Sequence, residues 1–410
     1  MKIFNFFYYS VGQAYLNTFR GLSKEVWWLA FITLVNRAGT MVIPFLSLYL
    51  TTDLNFSLDD VAWIMTAFGF GSLVGSWIGG KLTDVIGYYK VMVISLILSG
   101  FLFIGMQYLE TFNTVCIGIF VLMAVADMFR PAMFVALNAY SKPENKTRSI
   151  TLIRLAINLG FSAGPAVGGL IITTMSYGAL FWIDGFSCML AGFLLLKVLH
   201  PKKSKTIYTE ESTHPLSAYS DKSFIIFLVA MVIFGIVFLQ LISTIPYFYK
   251  EGIGLTEFEI GLLMAMNGLL IFIFEMPLIK WFENKTFTKI GLMIFGLILI
   301  CISFLFLIIH PWLGFIIISM ILLTFGEMIV FPFSNSFALD RAQRGLKGQY
   351  MALYSIAFSI SHIFAHNLGF HLIDSYGFDI TWTIMSVFGL LGLGLLLYLK
   401  KQMLATKQTI

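Results

Sequence analysis

The chain has 410 residues, of which 59% are hydrophobic and 11% are charged, with a formal net charge of +5. A soluble globular domain averages about a quarter charged residues, so this chain has too few charges to cover a water-facing surface. The composition therefore excludes an ordinary soluble protein and indicates a body in contact with lipid. The three cysteines, Cys116, Cys188 and Cys301, lie far apart in apolar runs and fit neither a zinc site nor a disulfide framework.

Residues 1–24 precede the first long apolar run and interleave Phe and Tyr with Lys and Arg. This pattern predicts an amphipathic helix on the cytoplasmic membrane surface rather than a cleavable signal peptide. A bilayer core about 30 Å thick needs about 20 apolar helical residues. We therefore predict twelve transmembrane helices, near residues 26–50, 60–80, 90–108, 113–139, 149–173, 179–199, 224–248, 259–281, 289–309, 311–337, 351–373 and 379–399.

The predicted fold class is all-α, because a backbone in lipid must satisfy its hydrogen bonds within each segment. Basic residues concentrate in the tails and in alternate loops, with Lys81, Lys90, Lys142, Arg148, Lys202, Arg341 and Arg344 as examples. The opposite loops are mainly acidic. By the positive-inside rule, both termini lie in the cytoplasm. The short loops favour a bacterial plasma membrane.

The two halves of the chain repeat one plan. A shift of 199 positions brings Ser57, Asp60, Met65, Gly69 and Lys90 onto Thr256, Glu259, Met264, Gly268 and Lys289. Repeats in the same orientation occur in one large transporter architecture. We predict six-helix bundles at 25–200 and 222–401, joined by a cytoplasmic linker at 201–221 and followed by a tail at 402–410.

Between helices 2 and 3, the sequence predicts a loop that reads GKLTDVIGYYK, with Gly80, Asp84, Gly87 and Lys90 at its key positions. This pattern resembles the signature of the major facilitator superfamily. The resemblance implies a twelve-helix transporter in which Asp84 helps to switch between outward-open and inward-open states. Before this loop, glycines at 71, 75 and 79 predict a ridge of tight helix packing.

Helix 5 carries a glycine-spaced run around a Gly-Pro pair: Gly160, Gly164, Pro165, Gly168 and Gly169. This run resembles the antiporter signature of the drug–proton exporters within the same superfamily, and the sequence around helix 10 resembles bacterial multidrug exporters as well. Helices 4 and 5 also resemble proton-coupled oligopeptide importers at Phe129-Arg130-Pro131, Tyr140 and Ile157-Asn158-Leu159-Gly160. The two glutamates of that family's helix-1 signature are missing.

Charged groups inside a membrane are costly and by default mark a function. Glu327 in helix 10 lies five residues before Pro332, and Asp127 in helix 4 lies four before Pro131. In a low-dielectric cavity the charged form of a carboxyl group is disfavoured, so such a group can load and release a proton. We predict Glu327 as the main proton carrier, with Asp127 as either a second proton site or half of an ion pair with Arg130.

Other polar residues of the spans are predicted to face a substrate cavity between the halves. Arg37 is expected opposite an acidic group, with Glu327 as the candidate partner. Arg154 and Asn158 share one face of helix 5, and either substrate binding or a structural bridge fits them. Glu275 in helix 8 fits a gate pair or a side chain that reaches the interface. His362 and His366 on helix 11 fit polar packing or a proton relay.

The leading functional hypothesis is proton-coupled export of drugs or other amphipathic compounds. The alternatives are proton-coupled import of small peptides or other small solutes, and a gradient-independent lipid flippase or transporter-like sensor. We find no sequence pattern of an enzyme. The expected partners are a small-molecule substrate, protons and membrane lipids, without nucleic acid, metal or cofactor, and the protein is expected to be a monomer.

Overall fold

A computed structural model describes residues 21–142, 145–202, 217–283, 285–309, 312–342 and 347–408. In this part of the chain, the regular structure is helical, with eleven helices long and apolar enough to cross a membrane. The last of them, Tyr350–Leu404, is divided by Gly377, whose backbone is not helical (φ 76°, ψ −179°). The helices are therefore consistent with the twelve that the sequence predicts.

We number these helices α1 to α12. Their bounds are α1 Lys24–Asp53, α2 Leu58–Ile86, α3 Tyr88–Met106, α4 Phe112–Tyr140, α5 Lys146–Thr174, α6 Tyr177–Val198, α7 Lys222–Gly252, α8 Glu257–Glu283, α9 Lys289–Ile309 and α10 Leu313–Ala342. The run Lys347–Gln408 holds α11 before Gly377 and α12 after it. The predicted surface segment at 1–24, the linker at 201–221 and the end of the tail lie mostly outside the described residues, so these remain predictions.

The prediction of a loop from Gly80 to Lys90 is wrong. In the structure α2 continues to Ile86 and α3 begins at Tyr88, so Gly87 alone makes the turn. Gly87 has a φ of 87°, which glycine adopts without strain. The helix continues because nothing between residues 80 and 86 lacks a backbone N–H, and because glycines are tolerated in membrane helices.

Three helices are interrupted next to prolines. α1 is broken between Lys24–Ala38 and Val42–Leu48, α4 between Phe112–Ala126 and Phe129–Tyr140, and α7 by a 3₁₀ turn at Leu239–Ile242. Each break ends three or four residues before a proline, which lacks the N–H that would bond to the preceding turn. The first helix of each half, α1 and α7, is thus interrupted at a similar place.

The glycine ridge of α2 packs against α4, as predicted. A Cβ built on Gly71 would lie 2.4 Å from the carbonyl oxygen of Phe120, and one on Gly75 would lie 2.2 Å from that of Ala124. Only glycine permits so close an approach of two helix backbones. Large apolar side chains cover the outside of the bundle, including Trp77, Phe101 and Phe193, each about 60% exposed. Such a surface suits contact with lipid.

We call the end of the bundle that holds Lys24 the terminal face, and the opposite end the distal face. The two halves are bonded to each other toward the distal face. Ser47 on α1 donates a 3.1 Å hydrogen bond to the carbonyl of Ser243 on α7, and the Tyr177 hydroxyl lies 3.2 Å from the Glu257 carboxylate of α8. Three pairs of packed helices, which we call seams, join the halves: α1 with α7, α2 with α11, and α5 with α8.

Candidate functional site

Glu327 is held by a neutral polar group. Asn267 on α8 donates a hydrogen bond of 3.1 Å from its Nδ2 to Glu327 Oε2 and another of 2.9 Å to Thr324 Oγ1, one turn before Glu327 on α10. In the described part of the chain, Glu327 forms no salt bridge. A carboxyl group with an amide partner and no bound cation can exchange a proton without breaking an ion pair.

A second polar cluster crosses from one half to the other. The Arg154 guanidinium of α5 forms a salt bridge with Glu275 on α8, and Asn158 Nδ2 donates a 3.1 Å hydrogen bond to the other oxygen of the same carboxylate. The Glu275 side chain is only 3% exposed, whereas that of Arg154 is 37% exposed. Of the interpretations left open by the sequence, the geometry favours a bridge that pins α5 to α8.

The bridge and the Glu327 site share one helix. Asn267 and Glu275 lie eight residues apart on α8, which is about 12 Å along the helix axis. Glu327 also lies within electrostatic range of both Arg154 and Glu275. A movement of α8 therefore changes the surroundings of the Glu327 carboxyl and the inter-half bridge together.

The N-terminal half has its own carboxyl site. Asp127, at the break of α4, accepts a short hydrogen bond from Ser72 Oγ of α2 and lies 3.5 Å from the Arg130 guanidinium. The predicted Asp127–Arg130 pair is present. The Asp127 side chain is 8% exposed and that of Arg130 is 53% exposed, so the cation remains accessible while the carboxylate is enclosed.

The predicted contact between Arg37 and Glu327 is wrong for this conformation. Arg37 lies at the end of the first segment of α1, with its guanidinium 5.6 Å from the ring centre of Phe161, and its Nε has no hydrogen-bond partner. It is close enough to Asp127 and Arg130 to interact electrostatically. The break in α1 turns this residue toward the N-terminal carboxyl site rather than across the molecule.

An internal cavity of about 40 Å³ joins Arg37 to Asp127. That volume exceeds the minimum for one water molecule, and its walls are sufficiently polar to hold one. Ser99, which is 2% exposed, lines this cavity with a hydroxyl that has no hydrogen-bond partner. The further polar groups of the wall come from Asn36, Thr40 and Ser95.

Asp184 stabilises the break in α1. This α6 residue is completely buried and accepts backbone hydrogen bonds from Met41 at 3.0 Å and Val42 at 2.8 Å, at the start of the second segment of α1. A carboxylate satisfies the unpaired N–H groups of a helix start and interacts well with its dipole. From the sequence alone, Asp184 is a charged residue within an apolar run, and its role as an acceptor follows only once the position of the break in α1 is known.

The antiporter-type motif contacts two helices at once. Gly160 packs on Arg37, Gly164 on Ala38 and Gly168 on Met41, all in α1. A Cβ built on Gly169 would lie 2.3 Å from the carbonyl oxygen of Glu257 in α8, while the Pro165 carbonyl would lie 2.3 Å from a Cβ on Gly261 of α8. The motif therefore makes α5 a close-packed partner of both halves.

The remaining predicted site residues divide between surface and seam. Gly80, Asp84, Gly87 and Lys90 lie around the α2–α3 turn, where Asp84 and Lys90 are exposed. His362 lies on α11 at the seam with α2, with its backbone close to Gly69. Sequence reasoning missed Asn267, although a lone amide in an apolar span eight residues from Glu275 could have indicated it.

Comparison with known proteins agrees with this architecture. The family model described as Major Facilitator Superfamily matches residues 27–366. An uncharacterized MFS-type transporter, YqjV of Bacillus subtilis, is 24% identical over 92% of this chain and 94% of that protein. Quinolone resistance protein NorA of Staphylococcus aureus is 24% identical over 79% of this chain and 84% of its own length. A Na(+), Li(+), K(+)/H(+) antiporter of Planococcus maritimus is 21% identical over 87% and 91%.

Solved structures share the fold at low identity. A crystal structure of a POT family transporter in complex with 5-aminolevulinic acid matches with a TM-score of 0.76 and 16% identity, covering 93% of this chain and 98% of that chain. The crystal structure of a nucleoside transporter, NupG, matches with a TM-score of 0.74 and 13% identity, covering 92% and 99%. At these identities, the likeness concerns architecture alone.

Proposed function

Because the chain belongs to the Major Facilitator Superfamily, a family of membrane transporters rather than enzymes, we propose that it exports drugs or other amphipathic small molecules in exchange for protons. It is a multi-pass membrane protein that moves small-molecule substrates. The observation that carries the proposal is the position of Glu327, a carboxyl without a salt bridge in the described chain, bonded to α8, the helix that also carries the bridge between the halves.

The proposed orientation follows from the basic residues. The terminal face carries basic residues, among them Lys81, Lys90, Arg148 and Lys202, and we place it on the cytoplasmic side of a bacterial plasma membrane. Near the distal face α1 is bonded to α7 and α6 to α8, whereas the Arg154–Glu275 bridge, nearer the terminal face, joins α5 and α8 alone. We therefore take this conformation as the state that opens inward. In this state, the cavity predicted between the halves takes substrate from the cytoplasm.

The proposed cycle uses Glu327 in two protonation states. Facing the cytoplasm, the deprotonated carboxylate attracts a cationic amphipathic substrate, and the aromatic and Met side chains of the helices contact its apolar part. After the halves rock about the α5–α8 seam, a proton from outside binds Glu327 and displaces the substrate. The protonated, neutral carboxyl then returns inward and releases its proton.

Several features of the N-terminal half support proton coupling at a second position. Asp127, its hydrogen bond from Ser72 and the 40 Å³ cavity place a carboxylate beside a space that can hold water. Water bridges can carry protons between groups that do not touch. The relatives named for quinolone resistance and for cation–proton antiport agree with an exporter that uses protons, at identities too low to assign the substrate.

One specific feature favours a second candidate, the import of small peptides or similar solutes. Arg130 keeps its guanidinium 53% exposed beside Pro131, and Asn158 of α5 places a second polar side chain in the same half of the molecule. A carboxylate substrate fits an exposed arginine as well as a cationic one fits Glu327. The direction of transport and the charge of the substrate distinguish the two candidates.

Flux in proteoliposomes tests the proposal. An imposed pH gradient should drive ethidium transport by the wild type and not by Glu327→Gln, because the amide cannot carry a proton. Glu110→Gln is the matched control, since it makes the same chemical change at an exposed position near the distal face. Movement of a dipeptide down the proton gradient, without ethidium transport, would replace the exporter by the importer. Ethidium transport that persists after the gradient is collapsed would eliminate proton coupling.

A further inference from the structure

His366 on α11 is completely buried, and neither of its ring nitrogens has a hydrogen-bond partner. A buried polar group without a partner costs free energy, so a side chain of this type is rarely left in that condition. The neighbouring ring of His362 lies 5.8 Å away, centre to centre, and its Nδ1 also has no partner. The exporter mechanism described above does not use either residue.

The His366 ring lies at a contact between the two halves of the molecule. Its ring packs on the edge of Phe68 in α2, at 6.0 Å between centres and a 79° angle. One turn away, a Cβ built on Gly69 would lie 3.0 Å from the backbone of His362. The imidazole is thus enclosed by the α2–α11 seam, one of the three that join the halves.

The groups around His366 leave it without charge compensation in the closed seam. α2 presents Phe68, and α7 presents Gln240, whose amide is already bonded to the carbonyl of Ala365 at 2.8 Å, with Tyr247 further out against Phe370. His362 is the titratable group on α11 within electrostatic range. Asp127 and Arg130 of α4 reach His362 rather than His366.

The distal end of the same seam carries another imidazole, that of His371. His371 Nδ1 lies 3.3 Å from the Asp59 carboxylate of α2, and both side chains are more than half exposed. This contact links α2 to α11 at the distal end of the seam. His366 lies about 8 Å further in along α11, where no carboxylate is bonded to it among the described residues.

We propose that His366 is a further proton-binding site of the carrier, beyond Glu327 and Asp127, loaded from the distal side only while the α2–α11 seam is open. One ring nitrogen takes a proton from water and becomes an imidazolium, which the apolar seam excludes, so closure requires that the proton leaves first. The proposal rests on the alternating access of the proposed function. It adds a proton site, and it predicts that acid on the distal side favours the open seam.

The expected size follows from a two-state equilibrium in which only the open state binds the proton. A wetted imidazole titrates near pH 6.5, so the ratio of open to closed molecules should rise about tenfold between pH 7.5 and 5.5. His371 and Asp59 form a second titratable contact across the same seam. The prediction is therefore made for the His371→Gln background, in which that contact is absent.

Distances between spin labels at the distal face test the proposal. The labels replace Tyr108 in the N-terminal half and Tyr376 in the C-terminal half, which are 67% and 60% exposed, in protein whose three cysteines are changed to serine. His371→Gln should show the acid-induced opening, and His371→Gln with His366→Phe should lose it. Phenylalanine suits the apolar seam, and His366→Gln provides a second uncharged variant.

Two results would overturn the proposal: an equal acid response with and without His366, or no acid response in the His371→Gln protein. His362→Gln serves as the control for the neighbouring ring, and it should retain the response if His366 is the site. The measurement needs no transported substrate. A carrier that fails to move ethidium can therefore still confirm or refute the role of His366.

Discussion

The contributions of Arg154 and Glu275 to the free energy of unfolding are expected to be strongly coupled. Removing Glu275 alone should cost less than removing Arg154 alone. In Arg154→Met, the Glu275 carboxylate remains 3% exposed with only the Asn158 amide as a partner. Leaving a buried charge without its partner costs about 3–5 kcal/mol. In Glu275→Leu the remaining Arg154 side chain is 37% exposed, so water partly solvates it and the cost should fall to about 1–2 kcal/mol.

The double variant should be more stable than the Arg154→Met protein. Replacing a buried ion pair by apolar side chains is often neutral or stabilising, since the desolvation cost of both charges disappears. The sum of the two single losses of unfolding free energy should therefore exceed the loss in the double variant by about 2 kcal/mol or more. For comparison, hydrogen bonds between membrane helices show an average coupling of about 0.6 kcal/mol.

Reversible unfolding in mixed micelles of detergent and SDS measures this coupling for wild type, both single variants and the double variant. Tryptophan fluorescence reports the transition. Strictly additive effects would show that the two side chains act independently, and the bridge between the halves would be refuted. A double variant less stable than Arg154→Met would contradict the desolvation argument as well.

Three further predictions concern helix packing and the Glu327 site. Gly261→Ala should weaken the closed α5–α8 seam, because its Cβ would lie 2.3 Å from the Pro165 carbonyl oxygen, and spin-label distances at the distal face should then increase. Gly80→Ala is the control, since no atom of the described chain outside its own helix lies within 4 Å of its Cβ, and it should leave these distances unchanged. Equal effects of the two would contradict the packing account. Asp184→Ala should lower the free energy of unfolding by about 1–3 kcal/mol, because two backbone N–H groups of α1 lose their acceptor; an unchanged SDS midpoint would contradict this role. Asn267→Leu should shift the pH dependence of ethidium transport while leaving expression unchanged, since it removes the donor to the proton-carrier carboxyl, and an unaltered pH profile would count against that contact.

Much of the architecture could be predicted from the sequence because lipid imposes simple rules. The lengths of the apolar runs predicted the spans, and the shift of 199 positions predicted two related halves. The breaks at matching places in α1 and α7 agree with such a repeat. The ridge of glycines in α2 was recognisable because three small residues repeat every four positions. The end of α2 was not, because a glycine can equally stop a membrane helix or continue it.

The site was only partly predictable, because charge inside a span indicates importance without indicating a partner. Asp127 and Arg130 share a helix, so their spacing was sufficient to pair them. Arg154 and Glu275 come from different halves, and their contact depends on how α5 and α8 pack. Arg37 was assigned to the wrong carboxyl group, because the break in α1 that directs it cannot be located to the residue from sequence alone.

Proton movement during substrate transport tests the central claim most directly. Proteoliposomes that contain a pH-sensitive dye are given an ethidium gradient with no initial pH difference, and the membrane potential is clamped. Proton-coupled exchange predicts that ethidium flow drives protons in the opposite direction in the wild type, and that Glu327→Gln abolishes this proton flow. Ethidium flow without proton movement in the wild type, or proton movement that survives in Glu327→Gln, would contradict the account.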